Sequence, residues 1–262
     1  METGEGGDMS IPTCSVEGKV AIITGSSQGI GNGLARGFAE AGAMVVMSSR
    51  NASLLEGTVR DIKARGGKAL AVPTDVTDGA QVSRMVERTL ESFGRIDVLI
   101  NCAGGSGANR DRPLLELEED VWDAVMNLSL KSVYLCCRAA GRVMVEQRSG
   151  SIINFSSGAA TAPVPGMTHY CSAKIGVNQF TKVLAVEWGR YKVRVNAISP
   201  GLTDTPSERQ FMPPEQFERY SSMIPLGRAG RPEDILGTAL YLASEASAYV
   251  SGAIVAVSGG PQ

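Results

Sequence analysis

A tyrosine and a lysine four positions apart are the side chains best placed for acid–base chemistry. Tyr170 and Lys174 lie within a stretch of helical periodicity, so both side chains belong to one face of a helix. A free tyrosine titrates near pH 10, at about its reference pKa, and a neighbouring ammonium group lowers the pKa of a tyrosine because it favours the phenolate. The pair therefore predicts a tyrosine that can act as a general acid or base near neutral pH.

Other polar residues follow short apolar runs that have the length of strands. Ser156 and Ser157 come after one such run, the segment 101–104 (Asn-Cys-Ala-Gly) ends another, and Asp75 follows a third. In an open α/β sheet, ligands bind at the carboxyl ends of the strands. A serine hydroxyl at this edge is placed to hold a substrate carbonyl oxygen beside the tyrosine.

A glycine-rich turn follows the first apolar run. Val20–Thr24 leads directly into Gly25, Gly29 and Gly31, and an amphipathic pattern begins at once. Backbone amides at the start of a helix favour an anion such as a pyrophosphate, and glycine lets the backbone approach it closely. The spacing differs from the common G-x-G-x-x-G fingerprint, but its place after the first strand predicts a dinucleotide site.

The end of the second apolar run bears on which dinucleotide is bound. An acidic residue at this point binds the ribose 2′-hydroxyl of NAD, but here Ser49 is uncharged and Arg50 follows it. An arginine can pair with a 2′-phosphate. The sequence therefore favours NADP(H), and NAD(H) stays possible.

These residues need a scaffold that alternates strands and helices. Strand-length apolar runs occur at Val20–Thr24, Met44–Met47, Ala69–Val72, Ile96–Asn101, Ile152–Phe155, Val193–Ile198 and Ala253–Val257. Stripes of helical period lie between them, for example from Val82 to Phe93 and from Val177 to Trp188. Nearly continuous apolar strands separated by helices predict an α/β fold, a doubly wound parallel β-sheet with helices on both faces. We expect a single domain over residues 18–262, after a disordered leader at 1–17.

One stretch interrupts the alternation. Residues 202–228 contain Pro206, Pro213, Pro214 and Pro225, and a helix is expected to begin near Pro232. Long connections of this kind are often lids over a site, so this segment is predicted to be a substrate loop. A plain irregular surface loop is the alternative.

Composition narrows the classes of partner. The formal net charge is −2 and no basic stripe is present, which argues against a nucleic-acid partner. One histidine and five cysteines without a C-x-x-C pair predict no metal site and reduced thiols, as in a cytoplasmic protein. No apolar run has the length of a membrane span, so no membrane partner is expected.

Taken in order, the motifs resemble those of the short-chain dehydrogenase/reductase family, in its compact single-domain form. The matches are T-G-x-x-x-G-x-G at 24–31, D-V at 75–76, N-x-A-G at 101–104, the helix asparagine at Asn127, a serine thirteen residues before the tyrosine at Ser157, Y-x-x-x-K at 170–174 and P-G at 200–201. The similarity runs from Glu17 to Gly260. It implies the Rossmann fold and an NAD(P)(H)-dependent oxidoreductase that interconverts a carbonyl compound and a secondary alcohol.

The resemblance also implies a role for each catalytic residue. Tyr170 would be the general acid in reduction and the base in oxidation, and Ser157 would polarise the substrate oxygen. Lys174 would lower the pKa of the tyrosine and bind the nicotinamide ribose, while Asn127 would hold a water that links Lys174 to solvent.

The same matches give the cofactor-binding residues. Asp75 and Val76 would meet the adenine, and Thr203 and Thr205 would approach the nicotinamide carboxamide. Members that prefer NADP often carry a basic residue where this chain has Gln28. The residues implied are Gly25, Ser27, Gln28, Gly29, Ile30, Gly31, Ser49, Arg50, Asn51, Asp75, Val76, Asn101, Ala103, Gly104, Tyr170, Lys174, Pro200, Gly201, Thr203 and Thr205.

Two other functions stay open at this point. The chain could be a regulatory protein that binds the cofactor without turnover, or an isomerase or epimerase on the same scaffold. The intact set of catalytic residues argues against the first, and the short segment after Pro200 argues against the second. The resemblance further implies a homotetramer and a small-molecule substrate. Candidate substrate contacts are Met167, the loop 202–228 and His169, for which a pocket-rim or structural role is the favoured alternative.

Overall fold

Seven strands form one sheet in which every pair of neighbours is parallel. A computed structural model describes residues 12–107 and 111–261. Its strands are β1 (Val20–Thr24), β2 (Met44–Ser48), β3 (Lys68–Ala71), β4 (Val98–Asn101), β5 (Gly150–Phe155), β6 (Val193–Pro200) and β7 (Ile254–Val257). They lie in the order β3-β2-β1-β4-β5-β6-β7. The apolar runs thus predicted every one of these strands to within two residues at either end.

Helices connect the strands and cover both faces of the sheet. They are α1 (Gly29–Glu40), α2 (Ala52–Ala64), α3 (Gly79–Phe93), α4 (Glu119–Met126), α5 (Ser132–Gln147), α6 (Thr168–Trp188), α7 (Pro206–Phe211), α8 (Pro214–Met223) and α9 (Pro232–Ala243). A π-helical turn, Asn127–Lys131, joins α4 to α5. The predicted doubly wound architecture and the helix expected near Pro232 are confirmed. No helix in the described ranges is long and apolar enough to cross a bilayer.

Two apolar layers hold the helices to the sheet. On one face, Leu34 and Phe38 of α1 pack with Leu55 of α2 and with α9. On the other face, Met85 of α3 and Val177 of α6 pack with α5 and the strands. Burial of both faces explains why the strands are almost uninterrupted apolar runs.

The position of β1 determines where a ligand can bind. The chain moves from β1 to β2 and β3 on one side, then crosses back to place β4 on the other side. Beyond the carboxyl ends of β1 and β4, the connections diverge and leave a crevice. The glycine-rich turn and the segment that follows β4 both lie at this edge.

The packed domain begins slightly earlier than the sequence predicted. Residues 1–11 of the expected leader lie outside the described residues. Val16, by contrast, is fully buried in the core, and the backbone N–H of Gly18 donates to the carbonyl of Gly42. The boundary at residue 18 therefore needs correction by at least two residues.

The segment 202–228 is not irregular throughout, because it contains α7 and α8. Both helices begin with a proline in the first turn, where the missing N–H has no intrahelical partner to lose. Arg209 of α7 makes two hydrogen bonds to the carboxylate of Asp204, of 2.8 and 2.9 Å. Its guanidinium also stacks 3.8 Å from the ring centroid of Phe217 in α8, and so joins the two helices.

Candidate active site

The glycine-rich turn packs against the segment that follows β4. Gly25 has a φ of +68°, and a Cβ built on it would lie 2.8 Å from the backbone of Ala103. A Cβ on Gly31 would collide with the carbonyl oxygen of Gly25. No side chain caps the amino end of α1 at Gln28. The turn therefore presents closely approachable backbone and a helix N-terminus, which suit a pyrophosphate.

Thr24 fixes the two chain segments relative to each other. Its hydroxyl donates to the carbonyl of Ile100 at 3.4 Å and accepts from the backbone N–H groups of Cys102 and Ala103, each at 3.2 Å. The side chain is buried. The threonine that ends β1 thus positions the first residues after β4.

Tyr170 and Lys174 lie one turn apart on α6, as the sequence predicted. The Nζ of Lys174 is 5.6 Å from the centroid of the Tyr170 ring, and it donates to the carbonyl of Phe155 at 2.7 Å. Burial lowers the pKa of Lys174 from 10.5 to about 8. The lysine therefore places a desolvated amine next to the phenol ring, and at neutral pH this amine is mainly the ammonium form.

The two serines after β5 point to different surroundings. Ser156 is buried, and its hydroxyl donates to the backbone carbonyl of Lys174 at 3.5 Å. Ser157 is partly exposed, and its hydroxyl accepts from the N–H of Ala159 at 3.2 Å. An accepted bond leaves the hydroxyl proton of Ser157 available to a substrate oxygen. This difference favours Ser157 over Ser156.

These groups share one cleft of about 270 Å³ at the carboxyl edge of the sheet. It is lined by the glycine-rich turn, the segment after β4, the residues after β5, the Tyr170–Lys174 pair and the loop after β6. Of the predicted site residues, its walls include Gly25, Gln28, Gly29, Ile30, Gly31, Ala103, Gly104, Ser157, Tyr170, Lys174, Pro200, Gly201, Thr203 and Thr205.

Comparison with known proteins identifies the family. Residues 25–262 match a family model described as enoyl-(acyl carrier protein) reductase. The 3-oxoacyl-[acyl-carrier-protein] reductase FabG of Thermotoga maritima is 39% identical over 245 residues, which cover 94% of this chain and 98% of the relative. This chain belongs to the short-chain dehydrogenase/reductase family. It is therefore an oxidoreductase of the class that interconverts alcohols and carbonyl compounds.

Solved structures of dehydrogenases have the same architecture. A 7α-hydroxysteroid dehydrogenase complexed with NADH and 7-oxo glycochenodeoxycholic acid superposes with a TM-score of 0.90 and 33% identity, covering 94% of this chain and 95% of the other. A gluconate 5-dehydrogenase from Burkholderia cenocepacia, in complex with NADP and tartrate, gives a TM-score of 0.89 and 33% identity, with 95% and 97% covered. The fold is thus common to solved structures that hold quite different ligands.

The residues expected at the adenosine end of this dehydrogenase fold lie beyond the cleft walls. Ser49, Arg50 and Asn51 follow β2, and the N–H of Thr74 donates to the carbonyl of Ser49 at 2.9 Å. Hydrogen bonds from Thr77 lower the pKa of Asp75, and the charge of Arg50 lowers it further. Arg50 is exposed and close enough to Asp75 to act on it, so both stand at the same corner of the site.

Some residues that were predicted to bind the cofactor do not line the cleft. Ser27 is absent from the cleft walls, and Asn51 caps α2 by accepting from the N–H of Leu54 at 3.1 Å. Val76 is 5% exposed and packs in the core. Asn101 is buried, and its amide donates to Asn154 at 2.9 Å. The side chains of Asn51, Val76 and Asn101 thus have contacts within the protein, and their roles in cofactor binding stay predictions.

Asn127 lies in the π-helical turn and does not line the cleft. It borders a groove of about 480 Å³ together with Gly176 and Phe180, which lie on a different face of α6 from Tyr170 and Lys174. Its carbonyl accepts from the N–H of Ser132. The relay role of Asn127 stays a prediction, and it requires water to connect the two sides of α6.

His169 is fully buried and is not among the residues that line the cleft, which favours the structural alternative over a place at the pocket rim. Several cleft residues were not anticipated from the sequence, namely Gly105, Ser106, Gly107 and Phe155, whereas Cys102 belongs to the predicted segment 101–104, and Ser207 and Glu208 to the predicted substrate loop. Burial raises the pKa of the Cys102 thiol to about 12, so this cysteine is protonated and a poor nucleophile. Within the described residues, no group of three or more metal-ligating side chains converges.

Proposed function

We propose that this chain reduces a small-molecule ketone to a secondary alcohol, with Tyr170 as the general acid and NADP(H) as the preferred cofactor. The observation that carries the proposal is the placement of the buried Nζ of Lys174 at 5.6 Å from the Tyr170 ring, inside the cleft that the glycine-rich turn borders. A bound nicotinamide cofactor supplies the hydride, or accepts it in the reverse direction.

The residues of this chain supply the rest of the chemistry. Ser157 donates a hydrogen bond to the carbonyl oxygen and so polarises the bond. Tyr170 gives its phenolic proton to the same oxygen as negative charge develops there, and takes it back in the oxidation direction. Lys174, as the ammonium form, stabilises the phenolate that results. Asn127 has the proposed role of holding a water molecule through which a proton returns from solvent.

The cofactor site fits a dinucleotide. The close approach of Gly25 to Ala103 and the uncapped start of α1 leave backbone N–H groups for the pyrophosphate. Tyr170 and Lys174 border the same cleft, where the nicotinamide ribose would bind to Lys174.

The preference for NADP(H) rests on Arg50. Its guanidinium is exposed at the carboxyl end of β2, and Ser49 adds no negative charge that would repel a phosphate. We expect Arg50→Asp to weaken NADPH binding at least about tenfold and to spare or improve NADH binding, because an acid repels a 2′-phosphate and binds a 2′-hydroxyl. Titration of both cofactors by fluorescence checks this, and an unchanged ratio of the two dissociation constants refutes the assignment.

The test of the function is titration of the purified protein with NADPH and NADH, followed by a carbonyl panel monitored at 340 nm. The panel contains a 3-oxoacyl thioester, a 7-oxo steroid, a keto-sugar acid and a small cyclic ketone. Tight NADPH binding with turnover of one class supports the proposal and names the substrate. Binding without turnover supports a regulatory protein instead, and failure to bind either cofactor refutes the proposal.

A further inference from the structure

One wall of the cleft has no regular secondary structure of its own. Residues 102–107 follow β4, and all six of them border the cleft. Thr24 holds the first two backbone N–H groups of this wall, as described above. The wall also contains Gly105 with a φ of +139° and Gly107 with a φ of +55°, conformations that residues with a side chain rarely adopt. Such a segment needs a further contact to keep one conformation.

A buried serine on another element supplies that contact. Ser129 lies in the π-helical turn and is fully buried. Its hydroxyl accepts from the N–H of Gly105 at 3.3 Å and lies 3.4 Å from the carbonyl oxygen of Gly105, to which it donates. Ser132, the next buried serine along the chain, behaves differently, because its hydroxyl donates to the carbonyl of Leu128 in its own helical segment.

The wall that Ser129 holds lies directly against Lys174. A Cβ built on Gly104 would be 3.1 Å from the Nζ of Lys174 and 3.8 Å from the hydroxyl oxygen of Ser129. The lysine amine, the serine hydroxyl and the backbone of the wall thus meet at one point. A shift of the wall at Gly104 and Gly105 would change both the width of the cleft and the access of water to the amine.

We propose that Ser129 is a positioning residue, whose hydroxyl fixes the Gly104–Gly105 backbone against Lys174 and so sets the shape of the cofactor cleft. The inference rests on the proposed function, since it concerns the binding of a nicotinamide dinucleotide. π-Helical turns occur frequently at functional sites, and here the extra residue of the turn places a hydroxyl on the buried side between α4 and α5.

The test compares Ser129→Ala with Ser132→Ala, a matched loss of a buried hydroxyl from a neighbouring position. We expect Ser129→Ala to raise the Kd for NADPH about tenfold, because two polar backbone groups lose a buried partner. We expect kcat with saturating cofactor to fall less than the affinity does. Ser132→Ala should leave the Kd within about twofold of wild type, while both variants lower the thermal midpoint similarly.

A third variant separates hydrogen bonding from packing. Ser129→Cys keeps nearly the same volume but offers only a weak donor and acceptor. A Kd between those of the wild type and Ser129→Ala supports the inference, whereas a wild-type Kd in the cysteine variant overturns it. If wild type binds NADPH and Ser129→Ala binds it equally well, the inference alone fails. If wild type binds neither NADPH nor NADH, the proposed function fails as well.

Discussion

At the scale of single residues, Lys174 combines a place in the candidate active site with an energetic cost. Its amine is buried, its described hydrogen bond is to a backbone carbonyl, and none of the described ion pairs includes it. Since a buried ammonium without a carboxylate is poorly solvated, the fold tolerates this charge rather than gaining stability from it. Unfavourable placement of this kind is typical of residues retained for chemistry.

The burial of the Lys174 ammonium predicts how the free energy of unfolding depends on pH. The pKa of Lys174 falls from 10.5 to about 8 in the fold, so the unfolded chain binds more protons between these pH values. Lys174→Met should therefore be more stable than wild type by roughly 1 to 3 kcal/mol at pH 7, after loss of the hydrogen bond to Phe155. The gain should shrink as the pH rises from 8 towards 10.5, because wild type is then relieved of its charge.

Urea unfolding of the two proteins at pH 7 and pH 10 measures this difference. Other titrating groups are common to both proteins and cancel. A methionine variant that is less stable at pH 7, or a gap that does not change with pH, would show that the burial of the ammonium is not costly.

The sequence predicted which residues share the cleft better than it predicted the directions of their side chains. The spacing of Tyr170 and Lys174 fixes a shared helix face, which the structure confirms. Asn101 ends a strand, and successive side chains of a strand point to opposite faces, so its amide turns into the core towards Asn154. The partner of Ser129 could not be predicted either, because it depends on the π-helical turn and on a distant loop.

At the scale of elements, the turn between β1 and α1 is the least tolerant of added atoms. Gly25→Ala combines a left-handed backbone with a Cβ at 2.8 Å from the Ala103 backbone. We expect it to cost about 1–3 kcal/mol of stability and to weaken cofactor binding, since Ala103 must move out of the cleft wall.

Gly237 in α9 provides the matched control. A Cβ built on Gly237 meets nothing within 4 Å, and its helical backbone suits alanine. Gly237→Ala should raise stability by roughly 0.5–1 kcal/mol and leave cofactor affinity unchanged. Thermal unfolding and NADPH titration of both variants check the pair, and a Gly25→Ala protein that matches wild type in both would contradict the close packing of the turn.

The connection after β6 contains helices that the sequence analysis did not predict. Its prolines predicted a substrate loop, with a plain irregular surface loop as the alternative, since proline disrupts a helix interior. Pro206 and Pro214 instead stand in the first turns of α7 and α8, where proline is favourable. Thr205 caps α7 by accepting from the N–H of Glu208 at 3.2 Å while it also borders the cleft. This connection stays a predicted substrate loop. Arg209 joins its two helices by stacking on Phe217.

At the scale of the whole molecule, the fold was the most predictable feature. A strand that is buried on both faces is a short, continuous apolar run. Each of the seven strands could therefore be predicted from its own residues alone. The order of the strands was not predicted from the sequence and is seen in the structure. The groove that Asn127 borders is separate from the cleft. This separation depends on how α6 packs, and no local sequence pattern predicts that packing.

The outer surface of α5 and α6 bears on assembly. Tyr134, Ile175, Val183 and Val186 are exposed there, with Val186 84% accessible. Apolar surface of this kind marks protein contacts. We predict a homotetramer, as the family resemblance implies, and light scattering should give four times the mass of one chain. A monomer at micromolar concentration would contradict the prediction.

The central claim is that Tyr170 is the proton donor of a carbonyl reductase, and Tyr170→Phe tests it most directly. The measurement is kcat with NADPH and the best substrate of the panel, alongside the Kd for NADPH. Because only the phenolic hydroxyl is removed, kcat should fall about 100-fold or more while the Kd stays within about threefold of wild type. Wild-type turnover by the phenylalanine variant would contradict the mechanism.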